Sequence, residues 1–369
     1  MSQLRLIELT KRFKGTTVLD KISLDVASGE TLVLFGPSGA GKTVLLRAIA
    51  GAVDADGGTI EIGGHDMTEV APEHRGVGMA FQNFALFPHM SAFDNIASPL
   101  TARRSTRETI TAGVEKVAKL LKIDHVLGHA PRALSNGQKQ RTALARALAA
   151  EPKLLLLDDP LRNVDAKLRF EMRLELPRLL ADQGATVVYV TQDYKEAMAL
   201  GDRIAVLDEG QIAQLGTPED IYRRPATINI ARLFGDPTIN LLDVTPERDD
   251  EGICVHLSDT RVPLHPDLAH AIGRDCVLGV RPEALSFSTA DDAIPVTIEA
   301  ETPLNEKAVT LVITKRGREI LVSRPADTEA PHEGTARLAV DPSGVILFDK
   351  KTGHRIAPVP QHETADAAA

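Results

Sequence analysis

The chain has 369 residues, 43% apolar and 25% charged, more than one hydrophobic core usually spans, which predicts two folded domains and excludes wholesale disorder. Its formal net charge of -9 argues against a surface that collects nucleic acid by neutralising phosphates. Two cysteines, Cys254 and Cys276, are too few for a disulfide framework or a zinc cluster and read as core thiols in a reducing compartment.

The opening residues, MSQLRLIELTKRFKG, lack the apolar core of a signal peptide, and no stretch reaches the roughly 18 apolar residues that span a bilayer. The chain is therefore expected in the cytosol, and any membrane role requires docking on other subunits. From Leu4 to about Gly235, short apolar runs alternate with helical patterns. Thr31 to Phe35, Leu154 to Leu157, Thr186 to Val190 and Arg203 to Leu207 read as buried parallel strands of an α/β domain. Between about residues 88 and 150 the pattern is helical. Ser105-Thr106-Arg107-Glu108 has the form of a capping box, and Ile110, Val114, Val117 and Leu121 follow at helical spacing.

The first strand leads into Gly36-Pro37-Ser38-Gly39-Ala40-Gly41-Lys42-Thr43 and then a helix, the context that makes a glycine-rich loop a phosphate site. Its backbone amides and the helix N-terminus would cradle a β-phosphate, with Lys42 reaching the β- and γ-phosphates and the Thr43 hydroxyl ligating Mg²⁺. ATP and Mg²⁺ are thus the expected cofactors. Leu154-Leu155-Leu156-Leu157-Asp158-Asp159 ends a strand in two carboxylates, Asp158 for the metal ion and Asp159 facing the attacking water. Leu134-Ser135-Asn136-Gly137-Gln138 opens another helix, with Ser135 as its N-cap.

These motifs together resemble the ATP-binding-cassette proteins, whose signature reads Leu-Ser-Gly-Gly-Gln. The resemblance implies a head-to-tail pair of cassettes, with Ser135, Asn136, Gly137 and Gln138 closing on the nucleotide held by the partner. It also implies that Gln82 senses Mg²⁺ near the contact with the membrane subunits, that Phe13 stacks on adenine, and that Asp165 lies in a loop linking the two sites. Phe13 is equally readable as an ordinary core residue. After Gly235 the texture changes to short β-like segments: Gly252 to Leu257, Cys276 to Val280, Val296 to Glu299, Ala308 to Thr314, Glu319 to Val322, Thr335 to Val340 and Val345 to Phe348. They predict a small barrel or sandwich. Gly235-Asp236-Pro237, Gly279-Val280-Arg281-Pro282-Glu283 and Leu347-Phe348-Asp349 resemble the regulatory barrel of maltose and glycerol-phosphate importer ATPases. That domain is open between binding a regulator and stabilising a dimer, and Arg281 and Glu283 between an ion pair and a contact site.

The expected architecture is a cassette over residues 1–236 with a helical subdomain at about 88–150, an all-β, OB-like regulatory domain over 237–357, and a disordered tail over 358–369. The expected role is ATPase subunit of a sugar or polyol importer, glycerol by resemblance, at the cytoplasmic face of the inner membrane. Its implied partners are a second cassette subunit, two membrane-spanning permeases and, indirectly, an extracytoplasmic solute-binding protein.

Three positions depart from the family. Asp159 stands where a glutamate base is usual, Gln192 where a histidine contacts the γ-phosphate, and Asn136 where the signature has glycine. A carboxylate shorter by one methylene sits back by roughly 1.5 Å, and glutamine cannot become cationic. One reading is a site that holds ATP but turns it over slowly, paired with a non-identical cassette that does most of the hydrolysis, or in the extreme a catalytically silent subunit. The other is a working ATPase with tolerated variants, since aspartate can serve as a base and glutamine as a donor.

Overall fold

A computed structural model describes residues 2–358 except 163, 183, 258–259, 329–330 and 332; of the tail expected over 358–369, all but residue 358 lies outside the described residues. The first compact unit spans Met1–Pro218 and the second begins at Glu219.

In the first unit, strands β1 (Ser2–Phe13) and β2 (Thr16–Ala27) pair as an antiparallel ribbon, and β4 (Gly57–Ile62) and β5 (His65–Asp66) extend it in the order β2-β1-β4-β5. Between them run β3 (Thr31–Phe35) and α1 (Lys42–Ile49). A second sheet has the order β10-β9-β3-β8-β7-β6, formed with β6 (Val77–Ala80), β7 (Leu154–Asp158), β8 (Thr186–Val190), β9 (Arg203–Asp208) and β10 (Gln211–Gly216). All its pairings are parallel except β9 with β10. The strands β3, β7 and β8 are apolar along almost their whole length because both faces of the sheet are covered, each buried Leu or Val contributing about 1.5–3 kcal/mol. The phosphate loop and the two aspartates leave the carboxyl ends of β3 and β7, the end at which open α/β sheets bind ligands.

The interval from 88 to 150 carries α2 (Ala92–Ala102), α3 (Arg107–Leu120) and α4 (Asn136–Ala149). Val114, Val117 and Leu121 are buried as the spacing predicts. The expected cap at Ser105 is displaced by one residue: Ser105 N–H donates to the Leu100 carbonyl at the end of α2, so Thr106 caps α3 through the Thr109 N–H. The two capping boxes in this interval are Ser91 with Asp94 and Ser135 with Gln138. Helices α5 (Ala166–Asp182) and α6 (Tyr194–Leu200) complete the unit.

The second unit begins at the second residue of α7 (Pro218–Arg223) and continues with α8 (Ile228–Leu233), so the compact division falls 18 residues before the limit drawn from sequence texture at 236. The reason is local: Ile228 N–H donates to the Gly353 carbonyl, Arg355 N–H to the Ala226 carbonyl, and Phe234 is fully buried. Eleven described strands follow, β11 (Asn240–Val244), β12 (Glu247–Asp249), β13 (Gly252–Leu257), β14 (Thr260–Pro263), β15 (Cys276–Val280), β16 (Leu285–Phe287), β17 (Ile294–Leu304), β18 (Lys307–Thr314), β19 (Glu319–Pro325), β20 (Gly334–Val340) and β21 (Val345–Asp349). They form antiparallel sheets ordered β11-β15-β21, β12-β13-β14 and β16-β20-β17-β18-β19. Both cysteines are buried and free. Arg281 and Glu283 do not pair with each other. Arg281 donates to the carbonyls of Ala231, Phe234 and Tyr222 and lies 4.0 Å from the Tyr222 ring centroid, while Glu283 accepts from the Tyr222 hydroxyl.

Candidate nucleotide site

The loop from Gly36 to Thr43 wraps a cleft of about 320 Å³ at the carboxyl ends of β3 and β7. Its curvature depends on glycine. A Cβ at Gly36 would lie 2.1 Å from the Leu207 carbonyl oxygen, and one at Gly41 2.9 Å from the Val18 carbonyl oxygen, with φ at 151° and 100°. Gly41 is also the N-cap of α1, so the free amides of that helix face the cleft where an anion would sit. The Lys42 ammonium is buried and donates to the carbonyls of Gly36 and Pro37, both at 2.7 Å. Burial pushes its pKa down, opposed by the charges of Asp159 and Asp158.

The Thr43 hydroxyl donates to Asp158 Oδ1 at 3.1 Å, leaving its oxygen lone pair free to accept a cation. Asp158 Oδ2 is buried without a hydrogen-bond partner. Burial raises the Asp158 pKa, with the Thr43 hydrogen bond and the charges of Arg47 and Lys42 opposing it. An orphaned carboxylate oxygen beside a threonine hydroxyl is a donor set of hard oxygens that fits Mg²⁺. The loop therefore fits a nucleotide phosphate and these two side chains fit its metal ion.

Asp159 follows in a left-handed conformation, φ 50°, uncommon for a residue with a side chain. Its N–H donates to the Val190 carbonyl at 3.0 Å, and its carbonyl accepts from Gln140 Nε2 at 2.9 Å. Burial raises its carboxyl pKa and Arg162 opposes the shift. The Arg162 guanidinium approaches Asp159 Oδ2 at 3.8 Å. Across the cleft the Ser38 hydroxyl donates to the side-chain amide oxygen Oε1 of Gln192 at 3.3 Å. Gln192 follows a fixed base: Thr191 and Tyr189 both donate to the buried Glu196 carboxylate, and Asp193 caps α6.

Ser38, Gly39, Gly41, Lys42, Thr43, Gln82, Asp158, Asp159 and Gln192 thus line one cleft, with Val18 and Arg162 added. Ser135, Asn136, Gly137 and Gln138 and the exposed Phe13 are not among the lining residues. Lys11 lies 5.2 Å from the Phe13 ring centroid, and an exposure of 44% removes the core reading of that aromatic. Ser135 caps α4 through Gln138 N–H, and Gln138 returns the bond to Ser135 N–H, so the signature is a rigid, exposed helix start. Its helix reaches the cleft by another route, through Gln140. Asp165 accepts from Leu168 N–H at the start of α5. Sequence patterns did not single out Arg162 or Gln140, although Gln140 lies only two residues past the signature.

A second groove, about 950 Å³ between Phe287, Thr297, Lys315 and Arg337, is larger but carries no phosphate-binding loop. The chemistry therefore points to the smaller cleft.

The ABC transporter family profile matches residues 19–162, and a profile for the MalK OB fold domain matches residues 235–285. The chain is 40% identical, over 97% of its length and 100% of the relative's, to the sn-glycerol-3-phosphate import ATP-binding protein UgpC of Yersinia pseudotuberculosis. The chain belongs to the ATP-binding-cassette importer ATPases. The corresponding Escherichia coli K12 protein is 39% identical over 96% of this chain and 100% of its own. A dimeric ATP-binding cassette solved in a post-hydrolysis state bound to ADP and Pi superposes with a TM-score of 0.55 at 29% identity, covering 58% of this chain and 98% of the other. Membership confirms a P-loop cassette followed by an OB-type domain, and an ATP-binding, ATP-hydrolysing transporter subunit. No helix among the described residues is long and apolar enough to cross a membrane.

Proposed function

We propose that this chain is the ATP-binding subunit of an importer for glycerol or its phosphate, and that the site on its own phosphate loop holds ATP but turns it over slowly. The names of the relatives support the solute class. It works at the cytoplasmic face of the inner membrane with two permease subunits and, through them, an extracytoplasmic solute-binding protein. Lys42 and the loop amides bind the phosphates, while Thr43, Asp158 and Gln82 hold the metal ion. When bound, Mg²⁺ neutralises charge on the β- and γ-phosphate oxygens.

The observation that carries the slow-turnover reading is Asp159. Its backbone is tied to Val190 and Gln140, so the strand end cannot advance to make up for a side chain one methylene shorter than glutamate. A displacement of about 1 Å at a reacting group can cost roughly a hundredfold in rate. Opposite it, Gln192 supplies a neutral amide held by Ser38. A homodimer would repeat both features in both sites. The signature of this chain, with its intact Ser135 box, remains suited to close the site of a non-identical partner whose base and histidine are the usual ones.

ATPase assays on the purified chain, alone and with its partner cassette, test this. The chain alone is expected to hydrolyse slowly, and Asp159→Glu with Gln192→His is expected to raise its rate at least tenfold. Full activity of the unmodified chain alone would refute the reading. Co-purified permeases and calorimetry of the associated solute-binding protein with glycerol and glycerol 3-phosphate test the solute.

A further inference from the structure

We propose that Arg162 binds the γ-phosphate of ATP in this chain's own site and so makes the site discriminate ATP from ADP, an inference that rests on the ATP-binding reading above. Asp159-Pro160-Leu161-Arg162 forms a turn closed by Arg162 N–H on the Asp159 carbonyl at 3.4 Å, with proline at the position that turns favour. Leu161 is fully buried beneath it. On the far side, the Arg162 carbonyl accepts from Arg169 at 3.1 Å. The base of the side chain is thereby fixed while its guanidinium lies on the wall of the phosphate cleft.

Charge balance explains what the guanidinium is free to do. Its ionic contact with Asp159 is 3.8 Å long and the side chain is 53% exposed, a pairing that contributes little and exchanges readily. Lys42, the other cation lining the cleft, spends two of its three donors on loop carbonyls and has one left for the phosphates, and Gln192 carries no charge. A terminal phosphate brings more negative charge into a cleft that already holds Asp158 and Asp159. The planar guanidinium matches two phosphate oxygens at once. Transfer of Arg162 from Asp159 to the γ-phosphate also releases the Asp159 carboxylate, so triphosphate binding frees the acidic group that faces the attacking water. ADP offers no such acceptor, and Arg162 stays with Asp159.

The test is calorimetric affinity of the full-length chain with Mg²⁺ for the non-hydrolysable analogue adenylyl imidodiphosphate and for ADP. Arg162→Ser is expected to weaken the triphosphate analogue at least about tenfold, the effect of losing a charge-assisted hydrogen bond, and to leave ADP within twofold. Arg162→Lys, which keeps the charge without the fork, is expected to recover part of the loss. Unchanged ADP affinity certifies that the variants are folded, and the lysine variant carries the test if the serine variant is not. Equal losses for both nucleotides, or no loss for either, overturn the proposal. A loss found only above the concentration at which the chain dimerises overturns it too, because the guanidinium would then serve the opposite site. Lys42→Ala separates this from the underlying reading: if that variant binds both nucleotides normally, the phosphate loop itself has been misassigned.

Discussion

Replacing Gln140 with leucine removes the bond from its Nε2 to the Asp159 carbonyl and leaves shape and volume nearly intact. The Asp159 carbonyl, which Gln140 Nε2 reaches at 2.9 Å in a buried setting, would then keep only the longer bond from Arg162 N–H at 3.4 Å. The loss of one such bond costs about 0.5–1.5 kcal/mol. Asp159 also sits at φ 50°, a conformation that costs on the order of 1–2 kcal/mol for a residue with a Cβ and is held only by its surroundings. In a cassette of this size 1 kcal/mol moves the melting midpoint by about 2–4 °C, so Gln140→Leu is expected to lower it by about 1–6 °C. Thermal melting of the full chain reads this out, the cassette transition being the one that MgATP shifts upward. Gln140→Glu is the decisive companion, since it keeps the length but offers an acceptor to an acceptor, and should lose at least as much. A leucine variant melting within about 1 °C of the wild type would refute the claim that this bond holds Asp159 in place.

Gly36→Ala is expected to abolish MgATP binding in calorimetry and to destabilise the cassette by about 2–3 kcal/mol, because its Cβ would lie 2.1 Å from the Leu207 carbonyl oxygen. Binding within twofold of wild type would contradict this. Burial raises the pKa of Glu196 above its usual 4.5, against the hydrogen bonds from Tyr189 and Thr191. Its contribution to stability is therefore full below that usual value and declines as pH rises through the raised one. Urea midpoints at pH 5 and pH 8 should show a smaller loss at the higher pH in Glu196→Gln than in wild type. The shifts of Asp158 and Asp159 have the same sign but remain in both proteins, so an identical pH difference would remove Glu196 as the cause.

The strands at Thr31–Phe35 and Thr186–Val190 were legible to the residue, since a strand buried on both faces is an unbroken apolar run between turn signals. The β1 and β2 ribbon was not. It alternates apolar and charged residues, but register shifts at Leu6 to Leu9 and Leu9 to Lys11 interrupt the period of two. Helix α2 was hidden by Pro99 in its interior. The box pattern at Ser105 was genuine in sequence, yet that residue's N–H closes the preceding helix, a use no local pattern reveals. Among the expected site residues, Ser38, Gly39, Gly41, Lys42 and Thr43 meet Asp158 and Asp159 in one cleft, because a loop of eight residues carries its own geometry. The contacts of Arg162 and Gln140 with Asp159 carry no such local signal, because they arise only where a turn or a helix side meets the end of a strand.

Helix α4 begins at the signature, touches Asp159 through Gln140, and near its far end offers Arg146 to the carbonyls of Ala85 and Phe84 at 2.7 and 3.2 Å. Those two acceptors lie just past Gln82, in a segment whose φ values of 65° and 47° leave it little intrinsic preference for its shape. Gln140 and Arg146 are about 9 Å apart along the axis. A rigid rod gripped at both places cannot turn without pulling on the acidic end of β7 and the glutamine segment together. A force applied at the segment after Gln82 is therefore timed with any change at Asp159, and the same rotation re-aims Ser135 and Asn136. Three events on this subunit share one clock, and its setting is the angle of a single helix.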